Sequence, residues 1–152
     1  SGNGTGGVTI SGFTFPVSDG SSGQFIKTDG LGNLSFATAG ASLSHSDLAD
    51  ATTTVATSTT STLNSFDKTV YRSAKYFISI TDSTNSRFEI VEANVTHDGS
   101  DAYVSTFGST TNYTGGLCIF TADMSGDDVR LRVTNISDAS TVFKFQRIAV
   151  DI

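Results

Sequence analysis

From residue 66 onward the chain is a run of six segments with alternating apolar residues, each closed by turn residues, and this constrains the fold more than any other feature. The segments are 69–82 (TVYRSAKYFISITD), 87–97 (RFEIVEANVTH), 101–108 (DAYVSTFG), 116–124 (GLCIFTADM), 128–136 (DVRLRVTNI) and 140–152 (STVFKFQRIAVDI). Tyr76, Ile78 and Ile80 share one parity; so do Val129, Leu131 and Val133, with Arg130 and Arg132 opposite. A period of two is the signature of a strand with one buried face. Turn chemistry separates the segments at Asp82–Ser86, Asp98–Gly99, Thr110–Gly116, Ser125–Asp128 and Ser137–Ala139. No helical period appears, and the single proline, Pro16, interrupts none of the segments. The pattern predicts an all-β domain over 66–152, an antiparallel β-sandwich or jelly roll. The last segment changes phase near Gln146: Phe143 and Phe145 share one parity, and Ile148, Val150 and Ile152 the other. A β-bulge, or a strand buried on both sides, is expected there.

Residues 1–50 read differently. They are Gly-rich, and their large apolar residues are scattered: Val8, Ile10, Phe13 and Phe15, then Phe25 and Ile26, then Leu34 and Phe36. Asp19–Gly20 and Asp29–Gly30 are turn signals. Such a stretch cannot bury a core of its own and is expected to be an extended arm that assembles with other copies. Between arm and sandwich, residues 51–65 form a Ser/Thr-rich linker or bridging strand, since nine of residues 51–62 are Ser or Thr.

Composition narrows the partners. Only 16% of residues are charged, against roughly 25% in an average domain, and 45 of 152 are Ser or Thr. The surface is therefore wetted by hydroxyls. A net charge of −6 argues against nucleic acid and anionic membranes as partners. No apolar run approaches the ~20 residues that a membrane-spanning helix needs, so no membrane insertion is expected. One cysteine, Cys118, permits no disulfide within the chain and lies in an apolar run, as a buried inert thiol would.

Sites of chemistry are sparse. His45 and His97 are the only histidines, and with Cys118 they have no zinc-ligand spacing. Ser44, His97 and Asp98 contain the residue types of a nucleophilic triad, but no G-x-S-x-G frame holds them. Asp98, Asp101, Asp123, Asp127 and Asp128 lie in turns and fit turn formation better than a calcium loop. Glu89 and Glu92 fall on opposite faces of one strand, which does not pair them as a glycosidase acid and base. The GNGTGG start lacks the lysine of a phosphate loop. No cofactor, metal or catalytic residue is expected. Tyr113, in the loop TTNYTGG, is the best candidate for ligand contact, with Tyr103 and Asn112 beside it as weaker ones.

The stretch FPVSDGSSGQFIKTDGLGNLSFATAG, Phe15 to Gly40, resembles a module of structural, fibre-like proteins of marine tailed phages, cyanophages among them. TVYRSAKYFISITD, EIVEANVTHDGSDAYVSTFG, ADMSGDDVRLRVTN and VFKFQRIAVDI are similar to a small β domain at the C-terminal end of such proteins. The resemblance implies a virion surface location, on tail or capsid, and no catalysis. It implies a structural subunit of a fibre or surface decoration, with a receptor- or glycan-binding fibre tip for host attachment as the alternative. The implied partners are further copies of the chain in a homotrimer, other virion proteins, and a host surface glycan or receptor.

Overall fold

The computed structural model describes residues 8–38 and 43–152, in two compact units divided near residue 42. The GNGTGG start and the last two residues of the Phe15–Gly40 module lie outside the described residues.

The first unit consists of two small antiparallel ribbons. β1 (Thr9–Ile10) pairs with β2 (Phe13–Thr14), and β3 (Gln24–Thr28) pairs with β4 (Leu34–Thr38). A bridge between Thr14 and Asn33 ties the ribbons together. The Asp29–Gly30 signal does mark the β3–β4 turn. Asp29 accepts from the backbone N–H groups of Leu31 (2.7 Å) and Asn33 (3.0 Å), and its other oxygen accepts from Asn33 Nδ2 (2.6 Å). Gly32 closes this turn with a φ of 92°, and a Cβ there would lie 2.7 Å from the carbonyl oxygen of Gly12. No described residue of this unit is buried.

The second unit is the sandwich. Its strands are β5 (Ser46–Val55), β6 (Thr60–Asp67), β7 (Tyr71–Asp82), β8 (Arg87–His97), β9 (Ala102–Thr111), β10 (Cys118–Ser125), β11 (Asp128–Asn135) and β12 (Thr141–Asp151). They form a five-stranded sheet, β5-β12-β7-β8-β9, and a three-stranded sheet, β10-β11-β6, antiparallel throughout. All six segments predicted from alternation are strands, with ends shifted by at most three residues.

The unit begins at Leu43, whereas the sequence pattern places its start at 66. The physical reason is long-range pairing. β5 lies against β12 over ten residues, from Thr141↔Val55 to Val150↔Ser46, and β6 lies against β11. Both added strands are rich in Ser and Thr and show little alternation, so the sequence leaves 51–65 open between a linker and a bridging strand, and their partners fix the pairing.

The two sheets meet through a core that includes Tyr76, Ile78, Ile80, Val91, Leu131, Val133 and Phe143. Polar side chains are buried with it and are bonded across the sheets. Asn135 Nδ2 donates to the carbonyls of Val55 (2.9 Å) and Ala139 (2.8 Å), while its Oδ1 accepts from the N–H of Ser137 (2.9 Å). Arg147, only 5% exposed, donates to Asn64 Oδ1 and the Ser65 carbonyl, both at 3.0 Å, and pairs with Asp47. Tyr76 donates to the same Asn64 oxygen at 3.0 Å, and burial pushes its phenol pKa up to about 12.

Arg147 also explains the phase change. β12 keeps an unbroken register from Val142 to Val150, with no bulge at Gln146. Thr141, Phe143, Phe145, Arg147 and Ala149 all point inward and are buried, while Ile148 and Val150 are half-exposed on the outer face. A charged residue at an inward position makes a regular strand look shifted.

Replacing the fully buried Leu131 with Ala is expected to cost about 2–5 kcal/mol, against about 0.5 or less for the exposed Thr121→Ala. Urea unfolding midpoints at constant slope measure both. Equal small losses would show that Leu131 is not in a packed core.

Candidate functional site

One end of the sandwich gathers the turn after β7, the loop after β9 and the turn after β11. Asp82, the last residue of β7, is fully buried; it accepts from Asn85 Nδ2 (2.8 Å), the Asn85 N–H (3.1 Å) and Ser137 Oγ (2.6 Å). These bonds, that from the Asn85 side chain first, hold its carboxyl below the usual carboxylate range. Asn85 Nδ2 and Arg87 Nη1 both reach the exposed Asp138, at 2.9 and 2.7 Å. The Arg87 guanidinium also stacks 4.0 Å from the ring centroid of Tyr113.

Tyr113 is 37% exposed in the loop Asn112–Gly116. Gly115 leaves room for its ring, since a Cβ there would approach Tyr113 Cε1 to 3.2 Å. Asn112 is the brace of the loop: its Oδ1 accepts from the Phe88 N–H (2.8 Å) and its Nδ2 donates to the Ser86 carbonyl (3.0 Å). Both amide functions of Asn112 are thus already engaged. Together Tyr113, Arg87 and Asp138 present an aromatic face with both signs of charge beside it, a combination able to stack on a ring and hydrogen-bond to hydroxyls.

Tyr103 does not join this group. It is the second residue of β9, whose ten residues span roughly 30 Å, and Tyr113 follows the other end. Its hydroxyl donates to Asp98 Oδ2 at 2.8 Å. Sequence reasoning missed Arg87, Asp138 and the buried Asp82; the only signal was their placement in turns flanking strands.

The remaining chemistry is distributed. Asp98 accepts from the N–H groups of Asp101 (2.8 Å) and Ser100 (2.9 Å) and from Tyr103, and these bonds, Asp101 first, lower its pKa to about 2. His97 is buried; its Nε2–H donates to the Tyr71 carbonyl (2.9 Å) and its ring lies 6.4 Å from that of Phe66. His97 makes no hydrogen bond to Asp98 or to a serine hydroxyl among the described residues. Glu89 accepts from the Leu117 N–H (2.8 Å) and Ser109 Oγ (2.9 Å), whereas Glu92 pairs with Lys75 at 2.5 Å on the outer face, as strand parity requires. Burial, aided by Glu89, pushes the half-buried Cys118 thiol well up, so the thiolate is scarce at neutral pH. Among the described residues no three His, Cys, Asp or Glu side chains converge as a metal site.

No protein-family model matches the chain, and no curated protein matches it. Solved structures do. The chain is similar to the tailspike protein of Acinetobacter baumannii phage AM24, with a TM-score of 0.47 and 11% identity, covering 70% of this chain and 26% of that one. It is similar to the tailspike of Acinetobacter phage vB_ApiP_P1, with a TM-score of 0.38 and 18% identity, covering 76% and 23%. A third is the tailspike of Acinetobacter baumannii phage Fri1, with a TM-score of 0.35 and 16% identity, covering 70% and 18%. All three are phage tailspikes. The chain spans about a quarter of their length or less. The Fri1 protein is described as a capsular polysaccharide depolymerase. That finding corrects the expectation of a non-enzyme: a protein described as a depolymerase stands among the similar structures.

The Asp98 turn gives a pH test. A lowered carboxyl pKa contributes stability above the ordinary carboxylate range, near 3.9, and that contribution is lost as pH falls through about 2. The carbon-13 resonance of the Asp98 carboxyl should titrate near 2, and Tyr103→Phe should move it toward 3.9. A midpoint near 3.9 in the unaltered protein would refute the bonding described.

Proposed function

We propose that the chain is a structural subunit of a tailed-phage appendage at the virion surface, assembled as a homotrimer through its first unit and carrying the sandwich for host attachment. The observation that carries this reading is the imbalance between the units. The sandwich closes its own core, whereas the first unit buries none of its described residues and exposes Val8, Ile10, Phe13, Phe25, Ile26 and Leu31. Burying each such side chain contributes about 1.5–3 kcal/mol, and two-stranded ribbons alone are marginal in water. Packing against further copies supplies the missing burial, and cyclic closure ends the assembly. The number three, the virion location and the tail or capsid setting follow the resemblance of Phe15–Gly40 to the modules of marine phage structural proteins. Neighbouring subunits would be other virion proteins.

A second reading adds recognition: Tyr113, with Arg87 and Asp138 beside it, contacts a host surface glycan or receptor. The exposed aromatic ring backed by a cation favours this reading. The weaker candidates would serve it differently, Asn112 by bracing the loop and Tyr103 as part of a separate surface.

Light scattering tests the assembly. The full chain at roughly 1 μM should have three times the 15.8 kDa chain mass, and a chain starting at Leu43 should associate about a hundredfold more weakly or less. A monomeric full chain, or a trimer unchanged by the truncation at that concentration, refutes the arm as the assembling element. For recognition, Tyr113→Ala should weaken binding to the host's surface polysaccharide about tenfold while leaving the melt unchanged. Undiminished binding discards the second reading. The same incubations, followed for new reducing ends, report hydrolysis.

A further inference from the structure

The two outer faces of the sandwich differ in chemistry. On the three-stranded sheet the outward residues are ionic or hydroxyl-bearing apart from the exposed Ile119: Arg130 holds Asp123 with two bonds (2.7 and 2.8 Å), Arg132 joins it at 3.2 Å, and Thr60 bonds Thr134 at 2.7 Å. On the five-stranded sheet, cross-strand pairing aligns Leu48, Ile148 and Lys75 in one row and Asp50, Gln146, Phe77, Glu92 and Phe107 in the next. Leu48, Ile148, Phe77, Phe107, Val150 and Tyr103 all lie on this face between 40% and 52% exposed. A shallow concavity of about 570 Å³ lies over Leu48, Phe77 and Ile148. A solvated antiparallel face alternates to polar residues; here large apolar side chains are interspersed with Asp50, Lys75, Glu92 and Gln146.

We infer that the outer face of the five-stranded sheet packs against a second copy of this chain. This goes beyond assembly through the first unit and uses a different surface. Two observations select the occupant. The first is size. Five strands at about 4.8 Å and ten residues at about 3.3 Å give a face of about 24 by 33 Å, or about 800 Å². A stable protein interface takes roughly 800 Å² from each partner. The second is charge. The face carries Lys75 and Lys144 together with Asp50 and Glu92, two of each sign. Lys75 and Glu92 neutralise one another within the copy, and Lys75 also covers the Phe107 ring at 5.4 Å from its centroid. Asp50 and Lys144 have no ion pair within the copy among the described residues. A face that carries equal charges of both signs meets no net repulsion from another copy of itself, around a threefold axis as around a twofold one. A partner of one sign would meet as much repulsion as attraction there.

Thiol labelling of the full chain tests this. Asn94→Cys places a thiol at an exposed position in the middle of the face, next to Lys75, and Thr121→Cys places a control thiol on the outer face of the other sheet. The slow labelling of Cys118 in the unaltered chain is subtracted from both. In the assembled protein the Asn94→Cys thiol should react about tenfold more slowly than the control. Adding Phe77→Lys and Ile148→Lys, or separately Ser79→Glu, should restore it to the control rate while the circular dichroism is kept. Equal rates in an oligomer overturn the face contact and leave assembly through the first unit standing. Slow labelling in a chain that light scattering shows to be monomeric also overturns it, because the cover is then not a second copy. Protection that survives the substitutions overturns it as well.

Discussion

β12 pairs along both of its edges, with β5 over ten residues and with β7 from Val142 to Asp151, so the five-stranded sheet has the C-terminal strand inside it. Its inward positions fix which residues of the neighbours face the core. Phe143 stands beside Ile80, Phe145 beside Ile78, Arg147 beside Tyr76 and Ala149 beside Ala74. A slip of one residue would carry this whole row to the outer face and bring Ile148 and Val150 inside. The polar contacts of Arg147 resist that slip: outside the pocket made by Asp47, Asn64 and the Ser65 carbonyl, its buried charge would lose its partners. Asn135 acts similarly at the other end, tying β5 to the turn that leads into β12.

With the register set in this way, the surfaces follow. The core rows bury the aromatic and branched residues of both sheets, the outer rows of the three-stranded sheet carry arginine–aspartate contacts with Ile119 beside them, and those of the five-stranded sheet mix Leu48, Phe77 and Ile148 with Asp50, Lys75 and Glu92. The turns at one end bring Arg87, Tyr113 and Asp138 together, because β7, β9 and β11 all finish there. The carboxylate of Asp82 beneath them is fully engaged by Asn85 and Ser137, which makes it a support for the loops.

Much of the sandwich was legible in the sequence, strand by strand from residue 69 to the end, because alternation and turn residues are local signals. For β5 and β6 the sequence leaves residues 51–65 open between a linker and a bridging strand: Thr, Ser and Ala dominate there, and β12 and β11 supply the pairing. The phase of the last strand was misleading for a related reason, since an inward arginine is recognisable only when its partners, up to a hundred residues earlier, are in view. The candidate site was half legible. Tyr113 was marked by its loop, but Arg87 and Asp138 became its neighbours only through the packing of three turns, and the engagement of Asn112 by Phe88 and Ser86 could not be read from spacing.

The sequence by itself determined the strand-forming segments from residue 69 onward, the inward parity of all but the last of them, the turn at Asp29–Gly30 and an acidic, hydroxyl-rich composition, all consequences of near-neighbour chemistry. Tertiary structure alone decided where the sandwich starts, which strands pair, which outer face carries Leu48, Phe77 and Ile148 and which polar side chains are buried. Those outcomes depend on contacts between residues far apart in the chain, and no local pattern records which distant partner will satisfy a backbone edge or a buried charge.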